Sequence, residues 1–70
     1  MNVTTLTKEQ ELALEAMIDH SCLSAVVEAL SNISFEKQEH LLSNWQDRVA
    51  AAQWGHDART LHAVVGKLIN

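Results

Sequence analysis

Apolar residues recur along this chain at helical spacing, and short polar breaks divide the pattern into segments. Leu14, Met17 and Ile18 form an inward stripe with Leu12 and the alanines beside it, while Glu9, Glu11 and Glu15 face water. This predicts a first helix over about residues 8–19. Thr7 and Gln10 stand in the form of a capping box, where the hydroxyl accepts from the N3 amide and the Gln side chain reaches back. Residues 1–6 before it are short, polar and β-branched and are expected to be loosely ordered. The polar run Asp19-His20-Ser21-Cys22 interrupts the stripe, and Ser21 is placed to cap the next helix. Leu23, Val26, Val27, Leu30 and Ile33 then share one face of that second helix, over about 22–33, with Ser24, Glu28 and Ser31 on the other. Two short, closely joined helices are expected to fold back as an antiparallel hairpin.

Ser34 is the next N-cap candidate, with Glu36 favouring the positive end of the helix dipole, so a third helix is predicted over about 35–46. Phe35, Gln38, Leu42, Trp45, Val49 and Ala52 follow one alternating 3-and-4 register. A second register, Ala51, Trp54, Ala58, Leu61, Val65 and Leu68, begins after Asn44-Trp45-Gln46-Asp47. Two geometries satisfy this change of face. Either Asp47 caps a fourth helix over about 48–69, or the last two elements are one helix kinked near the same residues. A rival break at Gly55, with Asp57 as cap, conflicts with an apolar register that passes through Gly55 undisturbed. The final helix would extend about 30 Å, roughly twice the helices available to cover it. Its stripe therefore needs a partner, and a second copy of the chain is the economical one.

Composition narrows the class further. Seventy residues with no Pro, two Gly and one Cys favour one thin, helical domain without an internal disulfide. The net charge is -4 with His neutral, and the five basic residues are scattered singly. No basic stripe for nucleic acid results. Neither a secretory signal nor a membrane-spanning run is visible, and a lone thiol fits a reducing cytoplasm.

Candidate chemistry is sparse. His20 and Cys22 form a His-x-Cys pair, two metal donors where a structural zinc site uses four, and a solvated His beside a packed Cys is the competing reading. Glu36, Glu39 and His40 invite a carboxylate-bridged metal site, but Lys37 stands where Glu-x-x-His requires the acid. A solvated charged face accounts for them. His56-Asp57 is a lone dipeptide, and His62 sits beside the apolar stripe. Cys22 has no oxyanion-hole glycine or orienting third group that can be named, so nucleophilic catalysis has no signature. Trp45 and Trp54 are the sharper features, since each can anchor a core or serve as a hot spot at an interface, where Trp is enriched.

The segment Glu36-Lys-x-Glu39-His40-Leu-x-x-Asn44-Trp45-Gln46-Asp47, followed by Ala52-x-Trp54 and a helical tail, resembles a family of short uncharacterised bacterial helical proteins. An Ile18-Asp19 turn and the helix over 23–33 extend the resemblance to most of the chain. It implies a helical domain and carries no activity.

Together these features predict an all-α, four-helix domain, non-enzymatic and without cofactor. It would bind protein as a homodimer through Trp45, Ala51, Trp54, Ala58, Leu61, Val65 and Leu68, or engage a further protein partner. Neither nucleic acid nor membrane is expected as a partner. The alternative is a metal- or redox-responsive sensor using His20 and Cys22.

Overall fold

The computed structural model describes residues 5–43 and 47–69. They form three α-helices, α1 Lys8–His20, α2 Leu23–Ser43 and α3 Arg48–Val65, and no strand. The all-α class stands, with three helices where the pattern predicts four.

α1 begins with the capping box. The Thr7 N–H donates to Gln10 Oε1 at 2.9 Å, and the Gln10 N–H donates to Thr7 Oγ1 at 3.2 Å. Glu9 and Glu11 lie in the first turn, where the helix dipole favours negative charge. The helix stops at Ser21, whose N–H reaches the Met17 carbonyl at 3.1 Å. Ser21 is thus the C-cap of α1, where the sequence suggested an N-cap for the next helix. No residue of α1 is buried; it meets α2 and does not reach α3. The hairpin expected between the first two helices is therefore a minor contact.

α2 runs without interruption through Ser34, which corrects the predicted break between a second and a third helix. The Ser34 hydroxyl donates to the Leu30 carbonyl at 2.9 Å, four residues back along its own helix. A hydroxyl satisfied in this way lets Ser occupy a helix interior. No Gly or Pro lies between residues 22 and 47 to end the helix sooner. The proposed joint Asn44-Trp45-Gln46 lies outside the described residues, but its last member is clear. Asp47 is the N-cap of α3, its Oδ1 accepting from the Val49 and Ala50 N–H groups at 3.0 Å each. α3 passes through Gly55, so the rival break there does not occur, and it ends at Val65 rather than near residue 69. The Lys67 and Leu68 N–H groups tighten the exit by bonding to the Val64 and Val65 carbonyls at 2.8 and 3.2 Å.

Almost all tertiary packing is between α2 and α3, which lie antiparallel. On α2 the facing positions are Ser24, Val27, Ser31, Ser34, Gln38 and Leu41, an unbroken 3-and-4 alternation. On α3 the buried positions are Ala51, Gly55 and Ala58. The seam is thus built of the smallest side chains, which lets two helix backbones approach closely. Ser31 is fully buried, and its Oγ donates to the Ala58 carbonyl oxygen at 2.9 Å across the seam. At Gly55 the amide of Gln38 lies where a Cβ would stand, its Cδ only 2.6 Å from that position. Glycine is used here for closeness, not for an unusual backbone angle. Leu23, Leu30 and Ile33, read from the sequence as the inward face of the second helix, are displaced to one flank and stay partly exposed. Ser24 and Ser31, read as outward, take their place at the seam because a leucine there would hold the helices apart.

Stability should respond at two positions, measured by urea unfolding at fixed protein concentration. Asp47→Ala should destabilise by about 1 kcal/mol, because two helix-end amides lose their acceptor. Gly55→Ala should stabilise by about 1 kcal/mol in a Gln38→Ala background, where only helix propensity changes. With Gln38 present, that gain should be lost as the amide is displaced, so the two substitutions couple by at least about 0.5 kcal/mol.

Candidate functional site

Helical geometry divides the α2–α3 hairpin into two unlike faces. The residue just before a seam position has its side chain rotated from the seam by about 100°. In an antiparallel pair that rotation turns both helices toward the same side. On α2 these positions are Leu23, Val26, Leu30, Ile33, Lys37 and His40; on α3 they are Ala50, Trp54, Asp57, Leu61 and Val64. Apart from Lys37, His40 and Asp57 this face is apolar. Leu23, Leu30, Ile33, Trp54 and Val64 stay exposed, Ile33 at 48% and Trp54 at 38%. Val26 and Leu61 are half-buried.

The residues just after the seam positions lie on the opposite side, which carries Glu28, Asn32, Glu39, His56 and Arg59, with Phe35 and Leu42 among them. The hairpin is therefore amphipathic across its thickness.

This arrangement redistributes the predicted interface residues. Ala51 and Ala58 are 1% and 0% exposed, covered by α2 of the same chain. Trp54 is on the open apolar face. Leu61, Val65 and Leu68 are half-buried. Trp45 lies outside the described residues. The stripe read on the last helix is thus split: Ala51 and Ala58 close the seam, while Trp54 and Leu61 turn toward the open face. Leu23, Leu30 and Ile33 on α2 complete that face. Their spacing was visible in the sequence, but which side of α2 meets α3 was not.

A depression of about 590 Å³ runs along α3 and is lined by Arg48, Val49, Ala52, Gln53, His56 and Asp57. All six side chains are exposed and belong to one helix, so they form a shallow groove without an opposing wall among the described residues. His56 and Asp57 sit there as surface groups. A smaller depression of about 340 Å³ gathers Ile33, Glu36, Lys37 and His40 on α2. Among the described residues, no three His, Cys, Asp or Glu side chains come together as a group able to hold a metal ion. His20 in the last turn of α1 and Cys22 in the connection remain two donors.

Cys22 does have a distinct environment. Half-buried immediately before α2, it places Sγ 3.3 Å from Ser24 Oγ. The Ser24 hydroxyl, followed by the Ala25 backbone amide, favours the thiolate and holds the pKa below that of an ordinary thiol, against the opposing effect of burial, with the Ser24 amide adding to the lowering. Ser24→Ala should move the titration midpoint upward, read from the thiolate's ultraviolet absorbance, and slow alkylation by iodoacetamide at neutral pH. An unchanged midpoint would show that the hydroxyl contributes nothing. Comparisons with protein-family models, with curated proteins and with solved structures gave no match for this chain.

Proposed function

We propose that this chain is a non-enzymatic helical protein–protein interaction module, acting as a homodimer in the role of a small regulator or accessory protein. One observation carries the reading: the chain leaves too much surface in water for a self-sufficient domain. Its accessible surface is 5755 Å², whereas a compact monomer of 7.8 kDa exposes about 4,400 Å². The radius of gyration is 13.7 Å, against about 11 Å for a compact chain of this length. Among the described residues the buried apolar side chains are Ala51 and Ala58 alone. At about 25 cal/mol per Å² of apolar surface, two alanines add little against the entropy of ordering three helices. Association supplies the missing burial.

The rest of the molecule is consistent with an interaction role. No helix among the described residues is long and apolar enough to cross a membrane. The acidic charge, -4 overall, gives no cationic stripe for a phosphate backbone. A cytoplasmic setting, where Cys22 stays reduced, belongs to the same reading. The thiolate-favouring contact of Ser24 supports a second reading, a redox- or metal-responsive sensor at the α1–α2 connection that uses Cys22 with His20. Melting curves with chelator and with mild oxidant separate the two: a sensor shifts its midpoint, whereas a simple interaction module does not.

Sedimentation equilibrium at micromolar concentration tests the main reading. The expected species has twice the chain mass of 7.8 kDa, and its melting temperature should rise with protein concentration. A species that stays at the single-chain mass at every concentration would end the proposal.

A further inference from the structure

The structure contains a surface of defined composition, and we infer that the one-sided apolar face of the α2–α3 hairpin, centred on Leu30 and Leu61, docks against the same face of a second copy. The inference rests on the homodimer reading and specifies which surface forms the dimer.

Three observations select this occupant. The first is thickness. The molecule measures 38 × 30 × 16 Å, so it is flat, its thinnest extent less than half its longest. Stable domains need two packed layers, and this chain supplies one. A second hairpin laid on the apolar face provides the other.

The second is area. The chain exposes about 1,400 Å² more than a compact chain of its mass, given its 5755 Å². Stable dimers bury about 800 Å² per partner at standard size, and obligate ones more. The excess is therefore of the size that a face-to-face dimer removes. It is larger than a short peptide segment would cover.

Charge is the third. The chain carries -4 overall, so two copies repel wherever their acidic surfaces meet. Glu28 and Glu39 lie on the opposite side of the hairpin. On the apolar face Lys37 and Asp57 offset one another, while Glu36 and His40 adjoin Ile33 and Lys37 toward one end of it. Around Leu30 and Leu61 two acidic chains would meet mainly through apolar side chains. Trp54 is 38% exposed at this face, in the position of an aromatic anchor. An isologous contact buries Trp54, Leu30 and Leu61 of both copies, while Glu28, Asn32, Glu39 and Arg59 point outward to water.

The test uses the full chain in sedimentation equilibrium, with Leu30→Glu and Leu61→Glu as interface variants and Asn32→Glu as a control on the opposite face. The two interface variants should weaken dimerisation by roughly 30-fold or more. Asn32→Glu should keep the wild-type dissociation constant within about threefold, as expected of a residue outside the contact. Should the wild type dimerise and both interface variants match it, the face is wrong although the homodimer reading survives. A wild type that stays monomeric ends both. Circular dichroism shows whether the variants remain helical. If they unfold, Trp54 emission in a Trp45→Phe chain decides instead. Dilution through the dissociation range should shift that emission to the red as Trp54 enters water. Unchanged emission across dissociation would place Trp54 outside the interface and overturn the inference.

Discussion

The close approach of α2 and α3 through Ser31, Ser34, Ala51, Gly55 and Ala58 is the constraint on which the rest of this structure depends. Small side chains let the backbones come near enough for the Ser31 hydroxyl to reach the Ala58 carbonyl at 2.9 Å, and for the Gln38 amide to lie over Gly55. Such a contact gains dispersion and one interhelical hydrogen bond, but removes little apolar area from water. A seam made from leucines would do the reverse. It would bury more surface and hold the axes further apart. Two helices joined in this way form a rigid slab without a core of its own.

The displaced leucines give the slab its polarity. Most large apolar side chains excluded from the seam, though not Phe35 or Leu42, stand one residue before a seam position, and in an antiparallel pair such positions turn the same way. Leu23, Leu30 and Ile33 therefore come together with Trp54, Leu61 and Val64 although they lie on different helices. Burying that common face in the proposed dimer would couple folding to association. The hairpin supplies order and the second layer supplies most of the hydrophobic stabilisation. α1 fits the same picture. It is 13 residues long, well capped, and has no buried residue, so its stability leans on capping and on whatever packs beside it.

The candidate chemistry has the opposite character. His56, Asp57, Glu36, Lys37 and His40 lie in shallow depressions built from single helices, open to water. Among the described residues, no buried side-chain nitrogen or oxygen lacks a hydrogen-bond partner. Cys22 is set apart by surroundings that lower its pKa, and it owes this to Ser24 and to the amides that open α2.

Sequence by itself determined the helical class and the capping box at Thr7 and Gln10, which rests on residues within one turn of one another, and it offered Asp47 as an N-cap beside the alternative of one kinked helix. It also showed that Gly55 need not end a helix, since the register on either side was continuous. It could not decide whether Ser34 ends a helix or lies inside one, because a serine hydroxyl can cap an amide ahead or bond to a carbonyl four residues behind. Only the tertiary structure settled that, by burying Ser34 beside α3. The same holds for the seam. Periodicity ranks faces by hydrophobicity and points to Leu23, Leu30 and Ile33 as the inside, but the distance between two helices is set by the smallest residues that can meet. Ser31 and Ala58 are such a pair only when the chain folds back and brings positions 27 residues apart into contact.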